Sequence, residues 1–224
     1  MPVGTRDGSH YPLLVATELC KRVHAILALL PEYRRPGDVP FDNGLYFFYQ
    51  RGETSPHARG GRIVRVGNHP GSQDGLKRRL QMHYTGNKNS SVVRKFLGGA
   101  LLRSRDPTDP CLQPAPGRGH WEKQDASTCA RCKPVEREVS KLLREEFRFR
   151  CVEISDKETR NRFEELLVAT LSLCEVCKPS ARWLGRYGYS DVVKNSGLWN
   201  ANYVFDGERL MSDADLQLLA ELTH

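Results

Sequence analysis

Arg79 and His83 stand four positions apart in the run Arg78-Arg79-Leu80-Gln81-Met82-His83, the spacing at which side chains on a helix share a face. A strand candidate and a glycine-bearing turn, residues 67–75, come just before them. An arginine can grip a phosphate with its forked donors, and a neighbouring histidine can accept or release a proton near neutral pH. The same pair also occurs on ordinary solvated helix faces, so spacing alone permits this chemistry without assigning it. Two further residues have the right types for phosphate chemistry. Tyr46 sits in Leu45-Tyr46-Phe47, where it could equally be a packing aromatic. Glu164 sits in Phe163-Glu164-Glu165-Leu166-Leu167-Val168, on a charge-rich segment where a lone glutamate is most often solvated.

The cysteines raise a separate question. Of seven, four form the pairs Cys129-x2-Cys132 and Cys174-x2-Cys177, which suggests a four-thiolate zinc site. The order of elements argues against it. The first pair precedes one helix and the second ends another, with a strand between them. If the three elements pack antiparallel in turn, the pairs lie at opposite ends of a helix of roughly eighteen residues, about 27 Å apart. Cys111 and His120 are the alternative partners for Cys129 and Cys132. The expectation is buried, reduced thiols without structural zinc, in a cytoplasmic protein.

These residues must be positioned by elements that can be read from periodicity. Residues 13–30 carry Leu19, Val23, Ile26, Leu27 and Leu30 at helical spacing, stopped by Pro31. Strand candidates cover 44–50 and 62–66, joined by a long polar hairpin connection. Helical patterns cover 75–84 and 90–102, the second weakened by Gly98-Gly99. Residues 103–133 are irregular, with four prolines and few apolar positions, and loops of that length without structure are uncommon unless they bind something or are disordered. A helix from Pro134 to Phe147, a strand over 149–154 and a long helix from Lys157, capped by Asp156, complete the main pattern. A short acidic helix over 212–222 follows a Pro/Gly/aromatic stretch. The sum is an α+β class: a small three-stranded antiparallel sheet flanked by helices. We divide it into an N-terminal helical extension (1–43), a main domain (44–204) with an irregular insertion at about 103–133, and a helical C-terminal tail (205–224).

Lys and Arg number 34 against 27 Asp and Glu, a formal net charge of +7 in 224 residues. That sign suits a polyanion, although a basic surface can also serve only solubility. Lys77, Arg78, Lys88, Arg94 and Lys95 gather around the Arg79–His83 unit in sequence and are the candidate DNA contacts. No apolar run reaches membrane-spanning length, and the N-terminus has no signal-peptide pattern; we expect no membrane partner.

Gly44-Leu45-Tyr46, then Val66-Gly67 after a hairpin, then Arg79 with His83, and Asn89-Ser90-Ser91 before the next helix, together resemble the opening of a GIY-YIG nuclease domain. Glu164 falls where that family places a metal-binding glutamate, its register set by the apolar pair three and four residues later. Pro179-Ser180-Ala181-Arg182-Trp183-Leu184-Gly185 and Ser196-Gly197-Leu198-Trp199-Asn200 resemble a bacterial, restriction-type branch. The resemblance implies a DNA endonuclease with Tyr46, Arg79, His83 and Glu164 as its catalytic set, and Mg²⁺ or Mn²⁺ at Glu164. Phosphodiester hydrolysis needs an activated water, charge neutralisation on the phosphoryl oxygens and a stabilised leaving oxygen. A tyrosine beside cations can relay the water's proton, an arginine offers a fork, and one carboxylate can hold a hydrated Mg²⁺.

Two departures stand out. The second signature tyrosine is replaced by Arg65, which would weaken the site or shift work onto His69. The asparagine expected beyond the glutamate's helix has no clear counterpart, leaving Ser180 or Asn200 to substitute, and Asn89 is a further polar candidate. These departures favour a rival reading, a catalytically impaired nucleic-acid-binding module. Double-strand cutting at a palindrome would call for a homodimer with two-fold symmetry.

Overall fold

In the computed structural model, residues 10–69, 75–112, 121 and 132–223 are described. Helix α1 (His10–Leu27) leads to the central strand β1 (Gly44–Gln50) and its hairpin partner β2 (Ile63–Gly67). Helices α2 (Gly75–Thr85), α3 (Val92–Arg105) and α4 (Cys132–Glu146) follow, then β3 (Phe147–Glu153) and α5 (Lys157–Leu173). The chain finishes with α6 (Asp191–Ser196) and α7 (Asp213–Glu221). The sheet is three-stranded and antiparallel throughout, as the sequence predicts, and its order is β2-β1-β3. No helix among the described residues is long and apolar enough to cross a membrane.

Strand β1 is buried along its whole length because helices cover both faces of the sheet, which accounts for its unbroken apolar run. Tyr46 and Phe48 point into one core with residues of α2, α3 and α4. Leu45, Phe47 and Tyr49 point into the other with α1, α5 and α7. Thus the N-terminal helix, read from sequence as an extension, packs directly on α5.

Two local features set the positions that matter. Phe48 pairs with Arg65 but Tyr49 pairs with Ile63, so Val64 is an extra residue and β2 bulges. A one-residue change of register flips a side chain to the other face; the bulge puts Arg65 on the same face as Phe48 and Tyr46. Gly67 lies opposite Tyr46, and a Cβ there would come within 2.3 Å of the Tyr46 hydroxyl oxygen. The glycine of the Val66-Gly67 pair therefore leaves space for the tyrosine ring. In α3, Gly98 has a similar function: a Cβ would lie 2.0 Å from the Trp121 indole. The glycine that weakened the helical pattern in sequence is thus a packing site.

The segment after α5 is held by a buried polar hub. Arg62 donates to Glu53 Oε2 through Nε (3.1 Å) and Nη2 (2.6 Å), and to the Gly197 carbonyl (2.6 Å). The Ser180 hydroxyl donates to the other Glu53 oxygen at 2.6 Å. Charges so deeply buried need this degree of pairing. The hub fixes residues 180–197 beside the hairpin, and Trp199 N–H then bonds to the Val64 carbonyl.

Most of the irregular 103–133 segment, including Cys129 and His120, lies outside the described residues. Cys132 is buried in the α2–α4 core, whereas Cys174 and Cys177 belong to the opposite one.

Candidate active site

Strand β1 delivers Tyr46, and α2 delivers Arg79 and His83 to the same end of the sheet. The Tyr46 hydroxyl oxygen lies 2.7 Å from His83 Nε2. The other imidazole nitrogen, Nδ1, lies 2.7 Å from the Ser91 hydroxyl. Ser91 also caps α3, accepting from the Arg94 backbone N–H at 3.3 Å. One serine thus starts a helix and orients the histidine. His83 is fully buried, and desolvation, aided by the charges of Arg65, Arg79 and Arg94, holds its pKa well below the usual histidine value. Its imidazole is neutral at physiological pH, with one donor nitrogen and one acceptor.

Arg65 donates from Nε to the Tyr46 oxygen at 3.2 Å, and from Nη1 to the Trp199 carbonyl. The residue that replaces the second signature tyrosine is therefore in direct contact with the first. Arg79 donates to the Ser90 carbonyl at 3.1 Å, while its buried Nε finds no acceptor among the described residues. That orphaned donor matches an anionic ligand.

Arg65, Arg79 and Glu164 line one cleft of about 550 Å³, together with Lys95, Tyr189, Ser190, Asn200 and Asn202. Tyr46 and His83, both fully buried, lie behind its wall. Glu164 projects from the middle of α5. Burial raises its carboxyl pKa above the ordinary value, opposed in part by Arg65 and Arg79. The adjacent Glu165 is committed to Arg209 at 2.6 Å. A single carboxylate beside open cleft space fits a hydrated divalent ion, which needs few protein ligands.

Of the secondary candidates, Asn200 and Arg65 are at the cleft. Asn200 pairs through its side-chain amide with both backbone groups of Val66, at 3.2 and 2.9 Å, as an extra rung on β2. Ser180 lies elsewhere, its hydroxyl donating to Glu53 in the Glu53–Arg62 hub. His69 is buried against Gly75, and Asn89 sits in the turn before α3; neither lines the cleft.

The basic residues divide in the same way. Lys95 lines the cleft. Arg94 does not offer its charge to DNA, because its guanidinium is spent internally on Glu136, Ser140 and the His83 carbonyl. Lys88 is also buried, with its ammonium 3.2 Å from the Asn89 side-chain oxygen. Lys77 pairs with Asp42 at 3.4 Å, and with exposed Arg78 lines a different groove. Sequence proximity failed here because successive helix residues point in different directions. Ser91 was the residue underweighted in sequence; its signal was a helix-cap serine immediately before an apolar-periodic run.

The sheet, the buried tyrosine–histidine pair and the charged cleft define a nuclease-type α+β domain. The GIY-YIG domain family matches residues 11–224, and the chain belongs to that family. Its members are nucleases, generally dependent on a divalent metal. No curated protein and no solved structure matches the chain.

Proposed function

We propose that this protein is a DNA endonuclease that hydrolyses phosphodiester bonds with Mg²⁺ or Mn²⁺ at Glu164. The observation that carries the reading is the hydrogen-bonded chain Ser91–His83–Tyr46–Arg65, which ends at a cleft shared by Arg79 and Glu164. Arg79 donates its free guanidinium edge to nonbridging phosphoryl oxygens. Tyr46 takes a proton from the attacking water. With Nδ1 donating to Ser91, neutral His83 presents Nε2 as the acceptor of the tyrosine proton; this tautomer is an assignment from chemistry. Lys95 adds positive charge at the cleft, and Asn200 shapes its floor. The divalent ion supplies charge neutralisation on the phosphoryl group and support for the leaving oxygen.

Because Tyr46 is sealed and Arg65 contacts it, the reading requires the Arg65 side chain to turn toward phosphate as DNA enters. The same sealing favours a second reading, a binding module in which Arg65 has closed the site. A restriction or defence setting rests on the resemblance of residues 179–185 and 196–200 to that bacterial branch. Cutting both strands then calls for a two-fold dimer.

The test is incubation of purified protein with supercoiled plasmid and Mg²⁺, Mn²⁺ or EDTA. Metal-dependent nicking or linearisation supports the enzyme; metal-independent binding without cleavage across varied DNA supports the module.

A further inference from the structure

Three cysteines and two histidines that the nuclease reading leaves unused come together beneath the hairpin. Cys20 and His24 lie one turn apart on α1, Cys174 and Cys177 follow the end of α5, and His57 comes from the β1–β2 connection. His57 Nε2 is 3.2 Å from Cys174 Sγ, and His24 Nε2 is 3.5 Å from Cys177 Sγ. The ligand atoms of Cys20, His57 and Cys174 all lie within 4.8 Å of one another, as do those of Cys20, His24 and Cys177. All but His57 are buried, and none of the three thiols is in a disulfide.

Zinc takes sulfur at about 2.3 Å and imidazole nitrogen at about 2.0–2.1 Å. In a tetrahedron those bonds set sulfur–nitrogen edges of about 3.5 Å and sulfur–sulfur edges of about 3.8 Å. The two histidine–sulfur contacts, 3.2 and 3.5 Å, fall close to the first value. The spacing is also that of short chelating segments, Cys-x3-His on one helix and Cys-x2-Cys at the end of another. Buried polar groups persist in a core when they have partners, and a metal ion would serve all of these together.

We propose that Cys20, Cys174, Cys177 and His24 bind a structural zinc ion, with His57 donating a hydrogen bond to the Cys174 sulfur. His24 is the chosen imidazole because it is buried and its distance to sulfur matches a tetrahedral edge. An outer hydrogen bond to a ligand is the usual complement of such sites. The ion ties α1 and the hairpin connection to the C-terminal end of α5. Glu164 lies ten residues earlier on that helix, about 15 Å away along its axis. The site is therefore separate from the metal of the nuclease reading. It also revises the expectation of unliganded thiols: the sequence comparison of Cys129/Cys132 with Cys174/Cys177 left out Cys20 and His24, the partners the fold brings near.

The test is metal analysis of full-length protein purified without chelators, together with its cobalt-substituted form. The expected result is one zinc per chain, retained by Glu164→Gln and lost from the Cys174→Ser/Cys177→Ser double variant. Cobalt should give tetrahedral ligand-field bands with a thiolate charge-transfer band. That signature is read on the wild type, so it survives a variant that fails to fold. His57→Ala should keep the ion, whereas His24→Ala should weaken it at least about tenfold. Folded, metal-free protein without cobalt–thiolate bands would overturn the site, as would a disulfide among these cysteines. Zinc loss in His57→Ala with retention in His24→Ala would overturn the ligand assignment.

Discussion

At the scale of single residues, the burial of His83 and Glu164 makes opposite demands on pH. The folded pKa of His83 is depressed, so below about pH 6.5 the unfolded chain takes up a proton that the folded chain refuses. Stability should therefore fall with acidification through that range, by up to about 1.4 kcal/mol per pH unit from this group. His83→Gln should flatten that limb in chemical denaturation measured at several pH values. Glu164 has a raised folded pKa, so its contribution is fully present below its unfolded value and is lost as pH rises through the folded one. In metal-free protein, Glu164→Gln should thus raise Tm at neutral pH and leave it unchanged at strongly acidic pH. Added Mg²⁺ should stabilise wild type and not the variant. The types and spacing of Tyr46, Arg79, His83 and Glu164 were legible in sequence. Ser91's contact with His83 and Arg65's contact with Tyr46 were not, since both depend on where separate elements meet.

At the scale of elements, β2 and the Glu53–Arg62 hub decide whether the site can form. Gly67→Ala forces a Cβ into the Tyr46 ring, so cleavage should fall by an order of magnitude or more, with DNA affinity little changed. Removing one partner of a buried ion pair strands the other, so Glu53→Ala should cost about 3–5 kcal/mol in urea unfolding. The strands and main helices were readable because their periodicity and caps agree with their burial; Asp156 capping α5 is an example. The β2 bulge was not readable, because an extra residue in a strand leaves no mark in an apolar run. The basic residues near α2 and α3 misled for a related reason: Arg94 and Lys88 are interior groups, and Glu136, which accepts from the Arg94 guanidinium and the Lys88 backbone N–H, lies more than forty residues away.

At the scale of the whole molecule, helices on both faces of one small sheet place the Tyr46–His83 pair on one side and the helix that carries Glu164 on the other. Arg65, which contacts Tyr46, shares the cleft at the sheet's end with Glu164. The α+β class and the three-stranded antiparallel sheet followed from sequence, but the integration of α1 did not, because an amphipathic helix does not announce which neighbour it covers. If the chain is a double-strand cutter, analytical ultracentrifugation with cognate duplex should show two chains per site, and a single chain per duplex would restrict it to nicking.

The most direct test of the central claim pairs two readings on the same proteins, DNA affinity and single-turnover cleavage with saturating Mg²⁺ or Mn²⁺. Tyr46→Phe and Glu164→Gln should bind DNA within a few-fold of wild type yet cleave at least about 100-fold more slowly. Cleavage by both variants at the wild-type rate would contradict the assignment of chemistry to this cleft.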